Sequence, residues 1–227
     1  MQSGKNKITF KVKGNDASVD GQLFFWDYTE KIVVSDVDGT VTKSDIGGHV
    51  LPRLGISDWA HDGIASLYSN IDKNGYKILY LSSRAIGLIS TTKAYVAGIR
   101  QDGGKHQMPD GPMLVNPERT AKSIFREIIV KQPHLFKIAC LSNVKSLFPD
   151  DVDPFYAGFG NRDTDALSYR AVAINLGKIF IINPHGEVKQ FHSMYVKSYP
   201  EIDKMVDVMF PTISPVICTD QDKSRIK

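Results

Sequence analysis

Two kinds of hydrophobic pattern divide this chain. Residues 8–13 alternate apolar and polar positions, as a half-exposed β-strand does. A loop rich in Gly, Asn, Asp and Ser separates them from a second predicted strand at 21–28. Two strands alone are only marginally stable in water. We therefore expect them to pair with residues 187–197, or with a sheet segment outside this sequence or in another chain. The pattern indicates the edge of a β-sandwich.

From Lys31 onward, short apolar runs alternate with amphipathic stretches, which predicts a parallel sheet flanked by helices. The expected strands lie at 31–36, 77–81, 136–141, 155–159 and 178–182. The expected helices run from a cap at Ser57 or Asp58 to Asn74, over about 90–101, over 117–130, after Asp165, and over 199–209. The predicted fold class is α/β.

The first of these strands runs into KIVVSDVDGT, residues 31–40. Asp36 and Asp38 are two residues apart and so point the same way at the carboxyl end of a buried strand, where α/β proteins bind ligands. Adjacent carboxylates repel, and a divalent cation is a common remedy. A plain Asp-Gly turn remains an alternative. A calcium loop does not fit, because Thr40 and Val41 stand where that loop needs Asp or Asn and Gly.

Composition sets broad limits on the function. The chain has 227 residues, enough for one domain with at most a small appendage, and 42% hydrophobic with 23% charged residues is typical of a globular protein with a full core. A net charge of +3 is too mild to indicate nucleic acid binding, but it is compatible with an anionic membrane surface.

Cysteine content and hydropathy bear on the cellular compartment. The two cysteines, Cys140 and Cys218, give no disulfide framework, so we expect a reducing compartment. No apolar run approaches the roughly 20 residues that span a bilayer, and residues 1–7 do not resemble a signal peptide.

Further polar residues follow the other predicted strands. Ser82 follows the second strand, Lys137 begins the third, and Asn161 and Asp165 follow the fourth. Taken singly, each residue has an ordinary explanation: Ser82 could cap a turn, Lys137 could be a solvated lysine, and Asn161 could be a turn residue. Because the carboxyl ends of parallel strands share one edge, hydroxyl, cation, amide and acid together predict a phosphate pocket there.

This order of residues resembles the haloacid dehalogenase (HAD) superfamily of phosphotransferases. Longer stretches resemble the lipin-type phosphatidate phosphatases: SDVDGTVTKSD (35–45), GHVLPRLGISDWAHDG (48–63), LYLSSRAIG (79–87), FKIACLSNV (136–144) and AGFGNRDTDALSY (157–169). The resemblance covers about residues 22–210, nearly the whole chain.

The resemblance implies an α/β, HAD-like Rossmannoid catalytic domain over residues 31–210. It also implies an appended, partial immunoglobulin-like β-sheet over 1–30, possibly completed by part of 187–218, and a tail over 211–227. The implied activity is Mg²⁺-dependent hydrolysis of phosphatidic acid to diacylglycerol. The implied setting is cytoplasmic, with peripheral attachment to the endoplasmic reticulum or nuclear membrane.

The resemblance also implies roles for single residues. Asp36 would be the nucleophile that forms an aspartyl-phosphate, and Asp38 the general acid and base. Mg²⁺ would be held by Asp36, the backbone carbonyl of Asp38, and Asn161. Ser82 and Lys137 would hold and neutralise the transferring phosphoryl group.

Neighbouring residues would support these groups. Thr40 would orient Asp38, Gly39 would allow the tight turn, and Asp165 would orient water or Lys137. Asp163 is a less favoured rival to Asp165. Arg84 and Lys43 could either bind the phosphate headgroup or form ion pairs that stabilise the fold. Trp59, beside His49 and His61 in the matching stretch, suits core packing first and membrane contact second.

Chain spacing limits the size of any lid over the site. The gap between Thr40 and Lys77 has room for a loop and one helix, and the gap between Arg84 and Lys137 for two helices and a loop. Neither gap could therefore hold a separate folded cap as well, since domains rarely fall below about 50 residues. An open site suits a headgroup presented by a membrane or a protein. Two alternatives therefore remain: a non-catalytic phosphatidate-binding module, and an open-site phosphatase acting on phosphoproteins.

Overall fold

A computed structural model describes residues 1–43, 59–117, 133–190 and 193–213. The strands are β1 Gly4–Lys11, β2 Ser18–Phe25, β3 Ile32–Asp36, β4 Lys77–Ala85, β5 Arg100–Gln101, β6 His106–Gln107, β7 Met113–Asn116, β8 Phe155–Gly160, β9 Ile179–Ile182, β10 Val188–Gln190 and β11 Val196–Lys197. The helices are α1 Ile64–Lys73, α2 Ile89–Gly98, α3 Pro133–Lys145, α4 Asp163–Ala171, α5 Tyr199–Asp203 and α6 Val206–Met209.

A seven-stranded sheet in the order β11-β10-β9-β8-β3-β4-β7 forms the centre of the fold. Strands β9, β8, β3, β4 and β7 are parallel, while β10 and β11 add an antiparallel edge. Strand β3 is fully buried because successive side chains enter different cores: Val33 lies in one, Ile32 and Val34 in the other. The predicted α/β class and the strands near 31–36, 77–81, 155–159 and 178–182 are confirmed.

Helix α1 packs an apolar face of Ile64, Leu67, Tyr68 and Ile71 into the core. Its predicted end at Asn74-Gly75 is confirmed, with Gly75 at φ +99°. The predicted cap at Ser57 or Asp58 is wrong, because the helix begins at Ile64 after Gly63 at φ +75°. A Cβ at Gly63 would lie 2.6 Å from Pro200, so this close approach requires glycine.

The predicted third strand at 136–141 is wrong, because these residues lie within helix α3. Phe136, Cys140, Leu141 and Val144 recur at helical spacing, and all four pack in one core. A short apolar run fits a buried strand or a helix face equally well by pattern alone.

The Gly- and Pro-rich stretch after α2 holds more structure than the sequence indicates. Strands β5 and β6 form a small hairpin, and β7 joins the central sheet beside β4. The helix expected over 117–130 falls almost wholly outside the described residues. The closing helix expected over 199–209 is present as two pieces, α5 and α6, which meet at Lys204 and Met205.

Strands β1 and β2 pair with each other as an antiparallel hairpin. The expected completion by residues 187–197 is not observed, since β10 and β11 pair within the central sheet instead. A turn in which the Asn183 amide donates to the Glu187 carbonyl at 2.9 Å brings β10 directly back along β9. Such a local hairpin closes at little entropic cost.

Two further features complete the fold. Phe159, Phe180 and Phe210 form a mutually contacting aromatic cluster beneath the sheet. Across the ranges that the structure describes, no helix is long and apolar enough to cross a bilayer.

Candidate active site

The loop after β3 is a tight turn that gathers three amides on one carbonyl. The Val37 carbonyl accepts from the amides of Thr40 (3.4 Å), Val41 (3.0 Å) and Thr42 (3.2 Å). Gly39 has φ +79°, which allows this reversal. Asp36 and Asp38 therefore both stand at the carboxyl end of β3, as the sequence predicts.

Thr40 contacts a different carboxylate from the one expected. Its hydroxyl donates to Asp36 Oδ2 at 3.2 Å, so the prediction that Thr40 orients Asp38 is wrong. The Thr40 backbone is fixed from the other end of the chain, because the buried Tyr199 hydroxyl donates to the Thr40 carbonyl at 3.0 Å.

Lys137 reaches the same pocket, although from helix α3 rather than from a strand. Its Nζ lies 2.6 Å from Asp36 Oδ1 and 2.5 Å from Asp165 Oδ1. The three side chains are almost fully buried. One ammonium thus bridges two buried carboxylates.

Asp165 uses its second oxygen to cap helix α4. Asp165 Oδ2 accepts from the amides of Asn161 at 3.0 Å and Arg162 at 3.1 Å. Gly160 makes this approach possible, because a Cβ there would lie 2.4 Å from the Asp165 Cβ. The rival Asp163 lies exposed at the start of α4.

Asp38 is held by two residues at the end of β4. Ser82 Oγ donates to Asp38 Oδ2 at 3.0 Å, and Arg84 Nε donates to Asp38 Oδ1 at 2.9 Å. A second guanidinium nitrogen of Arg84 donates to the same oxygen. The remaining Arg84 nitrogen donates to Thr92 Oγ1 on α2 at 3.2 Å. Arg84 therefore serves as an ion-pair partner of Asp38 in this structure.

The electrostatics of the pocket are dominated by burial and crowded carboxylates. Burial, together with the nearby carboxylates of Asp165 and Asp38, raises the pKa of Asp36 to about 7, although Lys137 opposes the shift. Burial alone would lower the pKa of Lys137, but the carboxylates of Asp36 and Asp165 hold that pKa above its ordinary value. The described pocket places three carboxylates against the two cations Lys137 and Arg84.

The remaining residues of the sequence prediction lie around this centre. Asn161 follows β8 directly. Lys43 pairs with Asp62 at 3.3 Å in an exposed ion pair. Trp59 is half-buried ahead of α1, and His49 falls outside the described residues.

His61 contacts the loop after β3 in a role that the sequence does not indicate. Its imidazole is buried and hydrogen-bonds the Gly39 backbone, and burial lowers its pKa. Within the described ranges, His61 Nε2 has no hydrogen-bond partner. Tyr199, Gly160 and His61 were missed as supports because nothing local in the sequence connects them to this loop.

The donor chemistry of the pocket fits a hard divalent cation. Asp36 and Asp38 offer carboxylate and carbonyl oxygens and Asn161 an amide oxygen, the ligand types that Mg²⁺ prefers. The surplus of carboxylates also favours a cation. The described residues hold no group of three or more His, Cys, Asp or Glu side chains arranged for a metal, so water would have to supply further ligands.

Comparison with known proteins agrees with these motifs. The family model LNS2 (Lipin/Ned1/Smp2) matches residues 1–211. The chain is 47% identical over 221 residues to phosphatidate phosphatase PAH1 of Arabidopsis thaliana, covering 95% of this chain and 24% of that protein. It is 46% identical over 224 residues to phosphatidic acid phosphohydrolase 1 of Saccharomyces cerevisiae, covering 93% of this chain and 26% of that protein.

A human relative shows the same relationship. Identity to phosphatidate phosphatase LPIN1 of Homo sapiens is 40% over 217 residues, covering 94% of this chain and 24% of that protein. The chain thus spans about a quarter of the length of these relatives.

Proposed function

This chain belongs to the LNS2 (Lipin/Ned1/Smp2) family, and we propose that it is a Mg²⁺-dependent phosphatidate phosphatase. It would hydrolyse phosphatidic acid to diacylglycerol and phosphate. The observation that carries the proposal is the placement of Asp36 at the end of β3, with Lys137 Nζ 2.6 Å from its Oδ1. The proposed nucleophile, Asp36, is thereby in contact with Lys137, the cation that would neutralise the charge of a bound phosphate.

Asp36 is the proposed nucleophile. Its carboxylate would attack phosphorus and form an aspartyl-phosphate while the diacylglycerol oxygen leaves. Thr40 donates to Asp36 Oδ2 and Lys137 to Oδ1, so both oxygens are fixed before substrate arrives. Fixed orientation of this kind lowers the entropic cost of the attack.

Asp38 is the proposed general acid and base. It would protonate the leaving oxygen and then remove a proton from the water that hydrolyses the aspartyl-phosphate. Ser82 and Arg84 hold its two oxygens, and Arg84 is anchored in turn by Thr92. Arg84 is therefore proposed to position Asp38, with contact to the phosphate headgroup as a second role.

Lys137, Ser82 and the Gly39 turn are the proposed phosphate-binding elements. The Lys137 ammonium is held by Asp165, so it stays directed at Asp36 as charge develops on the phosphoryl oxygens. Asp165 would act through Lys137 rather than touch the metal.

Asp36, the backbone carbonyl of Asp38, and Asn161 are the proposed Mg²⁺ ligands. The cation would offset the charge repulsion between the phosphate and the carboxylates. Burial, followed by the nearby carboxylates of Asp165 and Asp38, raises the pKa of Asp36, and this supports the assignment because a bound cation would offset both effects.

The lack of room for a cap domain supports a membrane substrate. No cap domain stands over the pocket in the part of the chain that the structure describes, and the segments 44–58 and 118–132 outside it are too short to form one. We therefore favour phosphatidic acid presented by a membrane, with a peripheral position on the endoplasmic reticulum or nuclear envelope.

The β1–β2 hairpin is the proposed part of an appended immunoglobulin-like sheet, preceding a catalytic domain over 31–210. Phe10, Val19 and Phe25 lie on one face of the hairpin by its register and are more than half exposed. An apolar sheet face of this kind suits packing against a second sheet.

The test is phosphate release from phosphatidic acid in mixed micelles, with and without Mg²⁺. We expect Mg²⁺-dependent release by the parent, none by Asp36→Asn, and parental release by Lys189→Gln on the far edge of the sheet. Turnover of a phosphopeptide in preference to the lipid would instead favour the phosphoprotein alternative. Binding of phosphatidic acid without release of phosphate would favour the non-catalytic module, although both Asp36 and Asp38 are present.

A further inference from the structure

A cleft of about 460 Å³ lies between the β1–β2 hairpin and helix α2. The hairpin turns its polar face to this cleft and its apolar face outward. Polar and basic side chains line both walls: Lys5, Lys7, Asp20 and Gln22 from the hairpin, and Ser90 and Lys93 from α2. This volume falls within the range of ligand-binding clefts.

The cleft carries a surplus of positive charge. Three ammonium groups line it against the single carboxylate of Asp20. Lys7 pairs with Asp20 at 2.9 Å and Lys5 with Asp110 at 3.1 Å. Lys93 has no ion pair among the contacts of the described residues. An anion is therefore the ligand that this charge distribution favours.

One wall of the cleft, helix α2, follows the end of β4 that carries Ser82 and Arg84. Helix α2 begins four residues after β4 ends, one helical turn beyond Arg84. Thr92, the neighbour of Lys93, accepts from Arg84, which in turn contacts Asp38. A surface that presents a headgroup to the catalytic loop would therefore also meet the first turns of α2.

We propose that this cleft binds the phosphate of a second, anionic phospholipid and so holds the chain on an anionic membrane. The inference rests on the proposed function, because that function places the chain at a membrane. It does not require that the chain hydrolyses phosphatidic acid. The side chains of Lys5 and Lys7 are 40% and 71% exposed, so their ammonium groups remain hydrated. Several weak, hydrated contacts suit an interfacial headgroup, whereas a soluble phosphate compound needs enclosure.

The test measures co-sedimentation with phosphatidylcholine vesicles that contain or lack phosphatidylserine, which is not a phosphatase substrate. Each lysine near an anionic surface contributes roughly fivefold to binding. We expect Lys93→Gln to reduce binding to phosphatidylserine vesicles about fivefold and Lys7→Gln/Lys93→Gln about 20-fold. The control Lys189→Gln, an exposed lysine on β10 at the opposite edge of the sheet, should bind like the parent. Turnover of a soluble aryl phosphate should be unchanged in Lys93→Gln.

Three outcomes would overturn the proposal. They are equal binding of Lys93→Gln and Lys189→Gln, no preference of the parent for phosphatidylserine vesicles, and displacement by millimolar inorganic phosphate at constant ionic strength. The last would assign the cleft to a free phosphate compound. Lysine-dependent sedimentation without phosphatidic acid turnover would contradict the proposed function alone, because sedimentation does not depend on the reaction.

Discussion

Lys137 Nζ lies 2.6 Å from Asp36 Oδ1, although 101 positions separate the two residues in the chain. The same ammonium contacts Asp165 Oδ1, so one cation serves two buried carboxylates. Removing the cation of this cluster leaves two carboxylates buried without compensation, and breaking a buried ion pair in this way typically costs about 3–5 kcal/mol.

Lys137→Met should therefore lower the free energy of unfolding by about 3–5 kcal/mol and abolish phosphatase activity. Denaturant unfolding checks the first effect and phosphate release the second. The matched control is Lys145→Met on the same helix, which loses an ion pair with Asp153 at 2.7 Å and a hydrogen bond to the Val172 carbonyl at 3.1 Å. These are worth about 0–1 and about 1 kcal/mol, so the control should lose less stability than Lys137→Met. Equal losses in the two variants would contradict the bridging role of Lys137.

Asp36→Asn should stabilise the metal-free chain at high pH while abolishing activity. Burial raises the pKa of Asp36 from 3.8 to about 7, so its charged form costs free energy in the folded chain. That cost is fully present above about pH 7 and disappears as the pH falls towards 4. The stability difference between variant and parent should grow over this range to at most about 4 kcal/mol.

Thermal unfolding in a chelator from pH 4 to pH 8 measures this difference. Asp62→Asn is the control, because Asp62 is an exposed carboxylate with an 88% exposed side chain. A difference that stays flat with pH would contradict the raised pKa of Asp36.

Gly160→Ala should remove activity by displacing Asp165. The new Cβ would lie 2.4 Å from the Asp165 Cβ and 2.7 Å from its Oδ2, so the Asp165 carboxylate must shift, which disturbs its contact with Lys137. Overpacking of this kind costs about 1–3 kcal/mol of stability. Gly87→Ala, where an added Cβ meets nothing within 4 Å, should keep parental activity and stability. Parental activity in Gly160→Ala would show that Asp165 is dispensable.

Tyr199→Phe should reduce activity with a modest loss of stability. The variant leaves the buried Thr40 carbonyl without the hydroxyl that donates to it at 3.0 Å, which costs about 1–3 kcal/mol. The loop that carries Asp38 would then shift, and misplacement by about 1 Å can cost about 100-fold in rate. Steady-state kinetics test this, with the 78% exposed Tyr195→Phe as control. Equal rates in Tyr199→Phe and Tyr195→Phe would contradict the role of Tyr199 in holding the loop after β3.

Much of the sheet was predictable because its strands are buried on both faces. Ile32 to Asp36 and Ile179 to Ile182 are short apolar runs between turn residues, which single out buried strands. Since parallel strands share one carboxyl edge, Asp36 and Ser82 could be placed together before their contacts were known. Lys137 was brought to the correct pocket on the wrong element, because a run of six apolar-rich residues does not separate strand from helix.

The supports of the site could not be predicted, because they depend on packing between distant segments. Tyr199 meets Thr40 across 159 positions, and nothing local in either segment indicates the contact. The hydroxyl of Thr40 donates to Asp36, while Ser82 and Arg84 donate to Asp38. Which of two neighbouring carboxylates a hydroxyl reaches depends on the three-dimensional path of the loop, which a linear pattern does not contain.

Trapping of the aspartyl-phosphate tests the role of Asp36 most directly. The protein is incubated with phosphatidic acid and Mg²⁺, and the reaction is quenched during turnover with borohydride, which reduces an acyl phosphate. The protein is then digested and its peptides are measured by mass spectrometry. We expect homoserine at position 36. With an aryl phosphate, whose leaving group needs no proton, Asp38→Asn should accumulate more of it, because the water that clears the intermediate lacks its base. Reduction at Asp38 or Asp165, or an unmodified Asp36 in a chain that is releasing phosphate, would contradict Asp36 as the nucleophile.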